Sequence, residues 1–196
     1  MEIYLIRHPR ADIEAGICYG QTDIKLKQED TEKAVQRINE FVPNISGSEI
    51  YSSDLKRCKV IAQNLTDNGS IIYSSKIREI NFGKWEMKRW DEIPKQELNI
   101  WMDDFVNQNC YNGESYKDLY TRVVQFWEEL INKNPSQILV ITHGGVIRSI
   151  LCYILNIPLK NSFKLNIDLC SISKIRIDRT EGLNKKPNET VEFINK

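Results

Sequence analysis

The sequence predicts an α/β layer architecture, on three observations. Strand-like and helix-like segments alternate along the chain, with no repeat at a fixed period and no low-complexity stretch, which is the pattern of helices packed on a sheet. Two of the strand-like segments, IYLI at the amino end and ILVIT near residue 140, are short continuous apolar runs, the form expected of strands buried on both faces. The closing segments CSISKIRID and TVEFIN instead alternate apolar and polar residues around a polar connection, which reads as an antiparallel hairpin.

Each element then has its own warrant. After the first strand, Ala34, Val35, Ile38 and Phe41 recur at helical spacing within 27–41, with charged residues between them, as on a helix with one solvated face. SEIYSS is a short strand. DLKRCKVIAQNL follows it as a helix with Leu55, Cys58, Ile61 and Leu65 on one face; Ser53 or Asp54 can cap its first turn, which places Arg57 near its amino end. SIIYS is a further strand. From Asn81 the chain turns polar and aromatic, with Trp85, Trp90 and Trp101, and reads as a lid-like excursion from the sheet over about 81–115. The three tryptophans suit packing better than stacking on a base. Leu119, Val123, Phe126 or Trp127, and Leu130 mark a helix over 119–131. ILVIT is the clearest buried strand, and HGG leads from it into the apolar helix VIRSILCYIL. A strand, a small-residue turn and a helix make a phosphate-binding geometry, because free N–H groups and the positive end of the helix dipole face the turn.

Composition limits what this architecture can do. A chain of 196 residues with 41% hydrophobic content suits one domain, 1–196, with a core that needs no metal or disulfide staple. Lys plus Arg and Asp plus Glu stand at 27 each, so no overall field draws the protein to nucleic acid or an anionic membrane. The cysteines, Cys18, Cys58, Cys110, Cys152 and Cys170, are odd in number and widely spaced, unlike zinc or dithiol sites, and read as reduced thiols. With no basic and apolar leader and no apolar run of membrane-spanning length, a soluble cytoplasmic protein is expected.

The chemistry sits at strand ends. The protein has 2 histidines, His8 and His143, and each closes a strong apolar strand, where α/β folds bind ligands. A single histidine is more often structural, but two at strand ends with arginines nearby suit a phosphate ester. A neutral imidazole attacks phosphorus in line if a hydrogen bond to its other nitrogen aims the ring, a role for His8. Planar guanidinium groups of Arg7 and Arg57 would hold the phosphoryl oxygens, and His143 could add a donor. The leaving oxygen needs a proton from a carboxylic acid. Glu79 in IREINFGKWE is the candidate, and Glu86 its nearest rival. The duller readings are a solvated helix arginine for Arg57 and a surface ion pair with Arg78 or Lys84 for Glu79.

In this order of motifs the chain resembles the histidine phosphatase superfamily, the phosphoglycerate mutase-like fold: RHP at Arg7–Pro9, SSDLKRC at Ser52–Cys58, REINFGKWE at Arg78–Glu86 and THGG at Thr142–Gly145. The resemblance implies a three-layer sandwich with a mostly parallel central sheet, helices on both faces, the terminal antiparallel hairpin and a small lid insertion. It implies a phosphorylated His8, a pocket of Arg7, Arg57 and His143 with Gly144, and Glu79 as acid then base, with no metal and no cofactor. GICYGQTDIKL and REINFGKWEMKRWDEI are most similar to the α-ribazole-5′-phosphate phosphatases of cobalamin biosynthesis. Tyr19, Gly20, Gln21 and Thr22 are assigned to the pocket rim. Pro9 departs from the usual glycine, and Glu14 from a phosphate-contacting asparagine, so Glu14 is left out because an acid there would repel a phosphate dianion. The expected partner is a small phosphorylated metabolite, bound by a monomer or homodimer. A phosphoglycerate mutase-like protein, a sugar or glycerate phosphatase, and a non-catalytic phosphate-binding module are the alternatives.

Overall fold

The computed structural model describes residues 1–66, 70–179 and 187–196. Its centre is a six-stranded sheet in the order β3-β2-β4-β1-β5-β6, formed by β1 (Glu2–Arg7), β2 (Glu49–Ser53), β3 (Ile71–Ser74), β4 (Gln137–Thr142), β5 (Ile172–Asp178) and β6 (Asn188–Phe193). The first four strands in sheet order run parallel, β5 lies antiparallel to β1, and β6 pairs antiparallel with β5. The terminal hairpin therefore extends the sheet beyond β1.

Because successive strand residues face opposite sides, the apolar runs feed two cores. Ile3, Leu5, Ile138 and Val140 pack under α4 (Tyr116–Ile131) and α5 (Gly144–Ile154). Tyr4, Ile6, Leu139 and Ile141 pack on the other face against Ala34 and Ile38 of α1 (Gln28–Phe41) and Cys58, Ile61 and Ala62 of α2 (Lys56–Asn64). This is the three-layer arrangement expected. Phe41 differs from its sequence reading: it is half exposed and meets Phe193 edge-on rather than entering the core.

The excursion after Asn81 carries two single 3₁₀ turns, Gly83–Trp85 and Trp90–Glu92, and α3 (Lys95–Asp103). It has a small core of its own, in which Cys18, Trp85, Ile93 and Cys110 are buried with Phe82, Trp90, Leu98 and Trp101 packed against them. Helix α4 begins three residues earlier than its apolar spacing indicates, because Ser115 and Asp118 form a reciprocal capping box. A 3₁₀ segment at Leu159–Lys164 has no sequence counterpart. No helix among the described residues is long and apolar enough to cross a membrane.

The connection after β1 leads to α1 on one face and that after β4 to α5 on the other, so the carboxyl ends of these neighbouring strands open a crevice at a topological switch point. The register pairs Arg7 with Thr142. His8 and His143, one residue beyond each, are thus adjacent by construction.

Candidate active site

A pocket of about 220 Å³ lies over that crevice, with Arg7, His8, Arg57, Glu79 and Gly145 on its floor side and Tyr19, Trp90 and Trp101 among its aromatic lining. The two imidazoles stand with ring centroids 5.0 Å apart. His8 is almost fully buried, and its Nδ1 lies 2.6 Å from the carbonyl of Pro9. A carbonyl only accepts, so Nδ1 carries the proton and Nε2 offers its lone pair. The other side of the ring agrees, because Arg57 Nε–H donates to His8 Nε2 at 3.3 Å. Burial first, then the positive charges of Arg57 and Arg7, hold the His8 pKa well below the ordinary histidine value, which keeps the ring neutral. Pro9 still supplies the aiming group, because that group is its backbone carbonyl.

Arg57 is fully buried, not a solvated helix residue. Its terminal nitrogens donate to the carbonyls of Thr22 at 2.9 Å and Gly20 at 2.5 Å, and Tyr19 lies across its guanidinium at 5.5 Å. The amino end of α2 is not capped by Ser53 or Asp54. Asp23, 33 residues earlier, accepts the Lys56 N–H at 2.6 Å, while Asp54 is taken by a two-pronged bond from Arg78.

The two candidate acids separate clearly. Glu86 accepts from the Gln21, Thr22 and Phe82 N–H groups and from the Thr22 hydroxyl, so it is a clamp that closes the 20–22 loop. Glu79 lines the pocket, with Oε1 accepting from the Ile80 N–H at 3.0 Å and Oε2 from the Gly145 N–H at 3.1 Å. Each of its oxygens keeps capacity for a proton. The amino end of α5, expected to greet phosphate, thus spends the Gly145 N–H on Glu79. A Cβ at Gly145 would collide with that carboxylate, and one at Gly144 would crowd Arg7 Nε and the Arg148 guanidinium at 3.2 and 3.3 Å.

Of the remaining sequence candidates, Arg7 donates to the Ile167 carbonyl through one terminal nitrogen and has a buried Nε without a partner, which leaves it donors for a phosphoryl group. His143 is wholly buried behind His8, with Nε2 2.9 Å from Ser53 Oγ. Gly20, Gln21 and Thr22 act from behind the wall, through Arg57 and Glu86; Tyr19 alone of that rim lines the pocket. Glu14 points to solvent near Arg89. Trp85 is a packing residue whose indole donates to Glu97, whereas Trp90 and Trp101 line the pocket.

Three arginine and serine contributions escape a sequence reading. Arg122 of α4 donates to the carbonyls of Lys76, Arg78 and Glu79 and pairs with Glu114, fixing the segment that presents Glu79. Its signal was an arginine three residues after Leu119, on the buried stripe of α4. Arg148 lines the pocket, with Nε donated to the Leu165 carbonyl and its guanidinium over Phe163; it stands four residues after Gly144, on the face of α5 that meets the turn. Ser53 looked like a cap and instead meets His143. Among the described residues no cluster of three or more His, Cys, Asp or Glu could hold a metal ion, and the five cysteines are free thiols.

A family model described as Histidine phosphatase superfamily (branch 1) matches residues 3–190. A Hydrogenobacter thermophilus protein provisionally named phosphoserine phosphatase 2 is 27% identical over 200 residues, spanning 99% of this chain and 95% of its own. An Escherichia coli protein provisionally named phosphoglycerate mutase GpmB is 29% identical over 191 residues, 93% of this chain and 87% of its own. Among solved structures, the alpha-ribazole phosphatase from Shigella flexneri superposes with a TM-score of 0.87 at 21% identity, covering 100% of this chain and 96% of that one. A mycobacterial glucosyl-3-phosphoglycerate phosphatase gives 0.82 at 20% identity, covering 99% and 98%. At these identities the structures speak to the fold.

Proposed function

The chain belongs to the histidine phosphatase superfamily, and from that membership and the pocket geometry we propose that it is a phosphomonoesterase acting through a phosphohistidine on His8. The observation that carries this reading is the neutral His8 ring, aimed by the Pro9 carbonyl with Nε2 unprotonated in a pocket lined by Arg7 and Arg57. Nε2 attacks phosphorus, the bond to the leaving oxygen breaks, and the Glu79 carboxyl gives that oxygen its proton. Water then attacks the phosphohistidine, Glu79 takes a proton from it, and phosphate leaves with His8 neutral again. Arg7, Arg57 and His143 carry the charge that builds on the phosphoryl oxygens. The nucleophile is an imidazole and the electrostatic clamp is guanidinium, so the cycle calls for no metal.

For substrate we favour α-ribazole 5′-phosphate in cobalamin biosynthesis, acting in the cytoplasm. The likeness to the Shigella flexneri fold and a pocket lined by Tyr19, Phe82, Trp90 and Trp101 support a ring-bearing leaving group. A second reading, an acidic leaving group such as phosphoserine or phosphoglycerate, is favoured by Arg148, a third guanidinium on the pocket wall with no carboxylate partner among the described residues. Hydrolysis of a generic aryl phosphate, with chelator present, by wild type, His8→Ala and Glu79→Gln tests the chemistry. Full activity of His8→Ala overturns it. The ratio of kcat/KM for α-ribazole 5′-phosphate to that for phosphoserine, phosphoglycerate and sugar phosphates decides the substrate. A preference for the acidic esters, lost in Arg148→Gln, selects the second reading.

A further inference from the structure

His143 has one ring nitrogen engaged and one idle. Nε2 lies 2.9 Å from Ser53 Oγ and 3.5 Å from Cys58 Sγ, while Nδ1 is buried with no hydrogen-bond partner. A neutral imidazole holds a single proton, so counting donors and acceptors around Nε2 says which nitrogen has it. Ser53 is fully buried, and its oxygen already accepts from the Leu55 N–H at 3.4 Å. Its own O–H needs an acceptor, and the strong one within reach is His143 Nε2, sulfur being a weak alternative. Cys58 Sγ has two contacts, the Thr142 carbonyl at 3.6 Å and His143 Nε2 at 3.5 Å; the carbonyl accepts its S–H whichever tautomer the ring takes, and a thiol is the weaker donor to Nε2.

The reverse arrangement leaves two faults. An Nε2–H donating to Ser53 would leave the serine hydroxyl hydrogen only the weak sulfur acceptor of Cys58 and turn a bare Nδ1 lone pair toward any phosphoryl oxygen that reached the ring. The Nδ1–H form leaves that N–H without a protein acceptor, a lack that a phosphoryl oxygen fills, whereas the reverse form sets a lone pair against that oxygen.

We infer that Ser53 is a positioning residue: its hydroxyl donates to Nε2 and locks His143 as the Nδ1–H tautomer, so the one N–H of that ring is held free for a phosphoryl oxygen. The inference rests on the reading of the pocket as a phosphoryl site. Burial and the nearby charges of Arg57 and His8 hold the His143 pKa well below the ordinary value, in keeping with a ring that works as a neutral donor.

The test is long-range ¹H–¹⁵N spectroscopy of the ring nitrogens, simplified because the chain has only 2 histidines and His143→Asn assigns them. In the wild type, His143 is expected to show a protonated Nδ1 and a pyridine-type Nε2. Ser53→Ala should populate the Nε2–H form and weaken vanadate, a mimic of the pentacoordinate phosphoryl group, at least ~10-fold more than inorganic phosphate, while Ser53→Thr restores both readouts. A Nε2–H tautomer in the wild type, or an unchanged tautomer in a folded Ser53→Ala, overturns the inference. If Ser53→Ala does not fold, the wild-type spectrum and Ser53→Thr still decide it. The spectrum is read on the resting protein, so its outcome is separate from the phosphohistidine, which His8→Ala reports.

Discussion

The two sides of the pocket are built by different means. On the strand side, the ends of β1, β2 and β4 deliver His8, Ser53 and His143, and buried partners engage one nitrogen of each imidazole: the Pro9 carbonyl at His8 Nδ1 and Ser53 at His143 Nε2. On the aromatic side, Phe82, Trp90 and Trp101 come from the excursion after Asn81, and Phe163 from the 3₁₀ segment at Leu159–Lys164. Ring contacts hold these at centroid distances of 5.3 Å for Phe82–Trp90 and 6.5 Å for Trp90–Trp101. Hydrogen bonds fix geometry more narrowly than ring contacts do. On the proposed function, chemistry belongs to the first side and choice of leaving group to the second.

The sharpest way to break that division is to disable the strand side. Glu79→Gln should lower kcat for an alkyl phosphate by ~10²–10⁴-fold, with the deficit shrinking for an aryl phosphate whose leaving oxygen needs little protonation. An equal loss on both would deny Glu79 the acid role. Arg122→Met comes next. It removes three carbonyl contacts and the Glu114 pair behind Glu79, so kcat should fall ~10-fold or more with KM little changed, and urea denaturation should show a loss of about 1–3 kcal/mol. A KM effect alone would place Arg122 on substrate instead. On the aromatic side, Trp90→Leu should raise KM for α-ribazole 5′-phosphate by roughly 5–10-fold, as expected for a lost ring contact worth about 1 kcal/mol or more, and leave ribose 5-phosphate unaffected. Equal effects on both esters would remove the selective role.

A further effect is on stability. Both histidines have folded pKa values well below the ordinary 6.5. As pH falls below 6.5, the unfolded chain takes up protons that the folded one refuses, so stability declines by up to about 1.4 kcal/mol per pH unit for each ring. The decline ends where the folded rings themselves protonate. Denaturation from pH 6.5 downward should show this slope, and His8→Asn combined with His143→Asn should flatten it.

The same contrast decides what a sequence can reveal. His8 and His143 are legible because each closes an apolar strand and strand ends converge in a parallel sheet, and Arg57 because it lies near the amino end of the helix after SEIYSS. Glu79 is the sequence candidate with Glu86 its rival, and the physical reason for the choice lies in space, where one faces the pocket and the other is spent on four donors. The cap on α2 was hidden because Asp23 reaches it from 33 residues away, and long-range hydrogen bonds leave no local pattern. Phe163, Leu165 and Ile167, which wall the pocket or hold Arg148 and Arg7, alternate with polar residues as in a strand yet lie in a 3₁₀ segment and the irregular chain after it, so their local pattern does not reveal their place. The tryptophans could be placed in the excursion, but only packing shows that Trp85 is buried and Trp90 is presented.

The most direct measurement is a rapid alkaline quench of the enzyme mixed with ³²P-labelled phosphomonoester, followed by mapping of the label. Acid-labile, base-stable radioactivity is expected on His8, forming no more slowly than turnover and absent from His8→Ala. Product released at the normal rate with no label on His8 would contradict the phosphohistidine cycle.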